Sequence, residues 1–158
     1  MIPRPNHPIV SLFFLVLVGF SVATVSMAYG TETDRSATLE AIHALENPRN
    51  VTRPGPCGEL GAYQFREATW RTYTGRPFAD ALNRGISDAV AVRHYEWLKL
   101  RLEQAHLPAT TYNIALAWNG GIRAAITGRA SRSARDYAER AANLAAVLER
   151  TSTVADVR

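Results

Sequence analysis

Residues 41–65 read AIHALENPRNVTRPGPCGELGAYQF, and the fold turns on how this stretch divides. Ile42 and Leu45 continue a spacing begun by Leu39, which predicts a helix over about Ser36 to Leu45. Pro48 and then Pro54-Gly55-Pro56 stop that helix and force an irregular loop. Gly58 and Gly61 lead into a second predicted helix, Phe65 to Tyr73, ended by Thr74-Gly75. Glu46 therefore closes the first helix, where the helix dipole disfavours negative charge. A carboxyl set there among apolar neighbours keeps its proton to higher pH, as a general acid requires. Taken alone, the position fits a surface glutamate at a frayed helix end at least as well. His43, one turn earlier, is placed to tune it, although core or surface roles are commoner for histidine.

Outward from this stretch the pattern is helical throughout. A long third helix carries Ala91, Tyr95, Leu98, Leu102 and Ala105 in a 4-3-4-3 stripe, with Ser87 as its expected cap and Pro108 as its stop. Thr110 opens a fourth helix bearing Ile114 and Ala117, broken at Gly120-Gly121. A short fifth segment, Ile122 to Thr127, ends at Gly128. The sixth helix is expected from Ser133, with Asp136 completing a capping box. No convincing alternation of apolar and polar residues occurs, so the expected fold is all-α, with at most a minor β element, in a single domain.

The chain has 158 residues, 47% of them hydrophobic and 20% charged, an ordinary globular composition. Cys57 is the sole cysteine, which excludes a disulfide scaffold and a cysteine-built zinc site. It is free, partly buried or paired with another molecule. The four histidines show no paired metal-ligand spacing. Net charge is +4, with 18 basic residues of which only Lys99 is lysine. The arginines are scattered rather than striped with aromatics, so no nucleic-acid partner is expected.

Near the front, the apolar run Ile9 to Val25 precedes Ser26-Met27-Ala28, small residues of the spacing signal peptidase accepts. Residues 1–28 are thus expected as a signal peptide cleaved near Ala28, the alternative being an uncleaved membrane anchor. Either way the protein is exported, to the periplasm or beyond. Residues 29–37 are expected as an N-terminal linker, 38–150 as the folded domain and 151–158 as a frayed tail.

Three blocks carry the candidate chemistry: Glu46-Asn47 with Asn50, then Gly58-Glu59-Leu60-Gly61-Ala62-Tyr63-Gln64, then Ala117-Trp118-Asn119-Gly120-Gly121. Glycines let a ligand approach the backbone, and Gln64 offers donor and acceptor to an N-acetyl group or sugar hydroxyl. Each block alone reads equally well as a plain turn or a core aromatic. With Ala134-Arg135-Asp136-Tyr137-Ala138 as a fourth, the series resembles the lysozyme-like lytic transglycosylases of the soluble murein type, related to goose-type lysozymes. The resemblance covers about residues 38–148, with the family's gap between Glu46 and Gly61.

By position the resemblance implies Glu46 as the catalytic acid and Asn47, Gly61, Gln64, Trp118, Asn119 and Tyr137 as substrate-binding residues. Asn47 stands where the family has serine, Trp118 where it has a tyrosine whose hydroxyl reaches the acid, and Glu59 where alanine is common. The indole N–H of Trp118 is a candidate substitute donor, and Glu59 a candidate second carboxylate, although a salt bridge to Arg53 is the more ordinary role. The implied activity is cleavage of the bond between N-acetylmuramic acid and N-acetylglucosamine with closure of an anhydro ring, without metal or organic cofactor. The implied partners are peptidoglycan strands and envelope or secretion-complex proteins; Arg49 and Arg53, in the loop after Glu46, are candidates to meet stem-peptide carboxylates, although solvated loop arginines are the more ordinary reading. A hydrolysing lysozyme and a non-catalytic glycan- or partner-binding domain are the alternatives.

Overall fold

The computed structural model describes the backbone of residues 23–155 and the side chains of residues 35–153. Its helices are α1 (Ala23–Glu46), α2 (Glu67–Tyr73), a 3-10 turn (Phe78–Leu82), α3 (Arg84–Gln104), α4 (Thr111–Gly120), α5 (Ile122–Ile126) and α6 (Arg132–Ala155). Among the described residues there is no strand. The minor β element is one isolated bridge, Leu60 with Phe65, bonded both ways at 3.0 Å and closing the turn at 61–64. The protein is all-α.

α4 forms the centre and packs against α1, α3, α5 and α6. Ile114, Ala115, Leu116 and Ala117 are all buried there. Small residues set how closely α6 approaches: Ala134, Ala138 and Ala141 are buried, and a Cβ on Gly120 of α4 would lie 3.0 Å from that of Ala134. Alanine contacts also join α1 to α6, through Ala37, Ala41 and Ala145. Short side chains at such crossings permit the near end of the usual interaxial range, about 8 Å. α1 and α6 thus lie side by side, and the last residue of α1 faces the second turn of α6.

Several boundaries differ from the sequence pattern. α1 spans Ala23–Glu46, so residues 29–37 are helical rather than a linker; no proline lies between Ala23 and Pro48 to interrupt it. Of the expected signal segment, residues 1–22 lie outside the described residues. Asn83 caps α3 in place of Ser87, its side-chain oxygen accepting from the Ile86 N–H at 3.1 Å. Ser87 lies one turn inside, buried, and its hydroxyl meets no partner among the described residues. Ser131 rather than Ser133 caps α6, accepting from the Ala134 N–H at 3.1 Å. The expected frayed tail is helical as far as Ala155, with Thr151, Ser152 and Thr153 hydroxyls donating to carbonyls four residues back.

Gly61 has no room for a side chain. Its φ is +79°, and an added Cβ would fall 1.8 Å from the Ala81 carbonyl oxygen in the 3-10 turn. Gly61→Ala is therefore expected to cost more than about 2 kcal/mol, through backbone strain and steric clash together. Ser87→Ala removes only an unsatisfied hydroxyl and should leave stability unchanged or raised. Thermal melts of the two variants check both; similar melting temperatures would contradict the packing described.

Candidate active site

Two cavities meet at the end of α1. The smaller, about 370 Å3, is lined by Asn47, Val51, Arg53 and Pro54 among others. The larger, about 620 Å3, is lined by Glu59, Tyr63, Phe65, His94, Trp118 and Asn119 among others. Glu46, Pro56 and Gln64 line both. The carboxyl thus stands at the junction of two spaces, which suits a bond with bulky groups on either side.

Glu46 is half-buried, and the Tyr137 hydroxyl of α6 donates to its Oε1 at 2.8 Å. Burial raises the Glu46 pKa, and the Glu59 carboxylate pushes it the same way; the Tyr137 bond and Arg140 oppose, without reversing the rise. Burial and the adjacent Glu46 push the Tyr137 phenol far above its usual range, so it acts as a fixed donor. At 6% exposure, Tyr137 lines neither cavity. It holds the acid rather than forming part of the groove. The hydroxyl that reaches the carboxyl therefore comes from α6, while Trp118 packs its indole against Tyr63, Phe65 and His94.

Asn47 is 7% exposed and fully engaged in the turn after α1. Its Nδ2 donates to the carbonyls of Val51 (2.9 Å) and Gly61 (3.1 Å), and its Oδ1 accepts from the Val51 N–H at 2.8 Å. The amide thus braces the loop, a task needing donor and acceptor together. Gln64 has φ +46°, a left-handed backbone unusual outside glycine, and its Nε2 donates to the same Gly61 carbonyl at 2.9 Å. Gly61 itself lines neither cavity; it supplies the carbonyl on which both amides rest. Asn119 is exposed on the wall of the larger cavity.

Glu59 pairs with Arg66 at 3.4 Å, not with Arg53, and accepts from the Cys57 N–H at 2.9 Å. Hydrogen bonds from its own N–H and that of Cys57, with Arg66 nearby, hold its pKa below the usual carboxylate range. His43 turns away from the acid. Its ring contacts Glu40 (3.0 Å), Asn50 (3.1 Å) and Arg84 (2.8 Å), a network continued by Arg84 and Tyr63 to Asp88 at 2.7 Å each. Cys57 is exposed on the rim of the larger cavity. Phe65 and His94 belong to the cavity wall although neither stands out in the sequence. His94 neighbours Tyr95 of the buried stripe, and only the fold shows which way its ring points. Among the described residues no group of three His, Cys, Asp or Glu side chains is placed to hold a metal ion.

Because the folded carboxyl of Glu46 holds its proton more tightly than the unfolded one, ionisation costs stability. That loss appears as pH rises from the unfolded value, roughly 4.3, through the raised folded value. Glu46→Gln should therefore melt above the parent at neutral pH, the gap closing below about pH 4. Tyr137→Phe removes a bond that favours the carboxylate, so the Glu46 titration followed by carbon NMR should move further upward. A downward movement would contradict the arrangement. Comparison of the chain with protein-family models, with curated proteins and with solved structures gives no match in any of the three.

Proposed function

We propose that the protein is an exported peptidoglycan lytic transglycosylase built on a lysozyme-like helical domain. The observation that carries this reading is a single half-buried carboxyl, raised in pKa and held by a phenol, at the meeting point of two cavities. A general acid for glycoside cleavage needs its proton near working pH and a sugar on each side of it.

In the proposed reaction, Glu46 donates its proton to the glycosidic oxygen between N-acetylmuramic acid and N-acetylglucosamine as the C1–O bond breaks. The muramic 2-acetamido oxygen stabilises the cationic C1. The C6 hydroxyl of the same sugar then bonds to C1, and ionised Glu46 takes its proton. The product is a 1,6-anhydro sugar, and the acid is restored. Both nucleophiles belong to the substrate, so no second catalytic carboxyl is required, and holding the ring near its reactive shape supplies the entropic advantage. The Tyr137 hydrogen bond fixes the carboxyl orientation through both proton transfers. Gln64 and Asn119 face the cavities with amides suited to acetamido and hydroxyl groups.

A second reading, hydrolysis to a free reducing end, is favoured by one observation. Glu59 lines the larger cavity with Glu46 and is held ionised, so the two carboxyls have pKa values pushed apart. A water on Glu59 would then replace the C6 hydroxyl as nucleophile.

Murein zymography and mass spectrometry of the digest test both readings. The parent should release anhydro-muropeptides, and Glu46→Gln should lose at least about 100-fold in rate. Reducing ends in place of anhydro ends select the hydrolase, and undiminished lysis by Glu46→Gln removes Glu46 from the chemistry. Tyr137→Phe should retain the fold but lose roughly 10- to 100-fold in rate, the size of a hydrogen bond to a charged group.

A further inference from the structure

An aromatic wall runs out of the larger cavity and ends on an exposed indole. Tyr63, Trp118 and His94 all line that cavity. Their ring centroids are 6.0 Å apart from Tyr63 to Trp118 and 4.5 Å from Trp118 to His94. His94 then stacks nearly parallel on Trp97, one turn along α3, at 6.1 Å and 17°. Trp97 lines neither cavity and is 38% exposed, with Leu100 beside it at 51%.

The core does not account for this indole. Trp70 is fully buried and Trp118 packs against the buried cluster, but Trp97 belongs to neither group. Burial lowers the His94 pKa to about 4, so the imidazole between Trp118 and Trp97 is neutral at physiological pH. The wall is consequently aromatic from Tyr63 to Trp97, without a fixed charge at its middle link. The C–H face of a pyranose carries slight positive charge and an aromatic face slight negative charge, so the two stack while the sugar hydroxyls stay in water.

We propose that Trp97 is a distal glycan subsite, stacking a sugar ring of a strand whose reacting bond lies at Glu46. The proposal rests on the glycan-cleaving reading and adds where a long strand is gripped outside the cavity. Continuity of the ring contacts with the cavity wall selects a polysaccharide as the occupant over a second copy of the chain.

The test is binding of N-acetylglucosamine oligomers of increasing length by calorimetry, in a Glu46→Gln background that leaves the ligand intact. Trp97→Ala should bind the shortest oligomers like its background and weaken the longest by roughly 3- to 10-fold. Trp97→Phe keeps a flat ring and should restore most of that loss. Equal affinities at every length, an equal loss at every length, or no binding at all would overturn the subsite. So would a dimer of the parent in sedimentation that Trp97→Ala converts to monomer, since the face then serves a second copy. If the parent releases no muropeptide from murein while the length-dependent loss persists, the subsite stands and the cleavage reading fails. If murein is cut and Trp97→Ala changes no affinity, the reverse holds.

Discussion

One carbonyl oxygen organises the candidate site. The Gly61 oxygen receives the side-chain amides of Asn47, which follows the acid directly, and of Gln64, which lines both cavities. Two residues 17 positions apart in sequence are thereby hung on one atom. That atom is fixed in turn because Gly61 lies so close to the Ala81 carbonyl that no side chain fits. The Pro-rich loop can be irregular because its two ends are pinned at this point. Loss of the pin would leave Glu46 on a helix end with no defined neighbour across the cleft.

The second constraint is the side-by-side course of α1 and α6. Alanines at their contact let the helices come close enough for the Tyr137 hydroxyl to reach Glu46. Burial and the Glu59 charge favour the protonated acid, whereas Tyr137 and Arg140 favour the carboxylate. The protonated form is favoured overall, and the Tyr137 bond limits how far the rise goes.

Much of this was legible in the sequence, and the misses have physical reasons. Helix type and order followed from apolar spacing, and Thr110 caps α4 as its position suggests. The sequence alone does not separate the two candidate caps of α3, since Ser87 is as good a capping type as Asn83 and only burial distinguishes them. Glu46 was marked by its place at a helix end. The roles of its companions were less legible, since spacing reports neighbourhood and not direction. Tyr137 faces the acid from behind, Asn47 braces a turn, and His43 turns toward Glu40 and Arg84. His94 and Trp97 share a helix face whose importance appears only once Trp118 arrives from α4.

Gln64 carries a further consequence. Its left-handed backbone would be easier for glycine, as Glu46 would be easier to bury as an uncharged amide. An amide at 46 would keep a polar group and lose only the titratable proton, whereas glycine at 64 would relax the backbone but forfeit the bond to the Gly61 carbonyl. Selection of this chain for heat tolerance alone would therefore press on position 46 first, exchanging a titratable side chain for a neutral one.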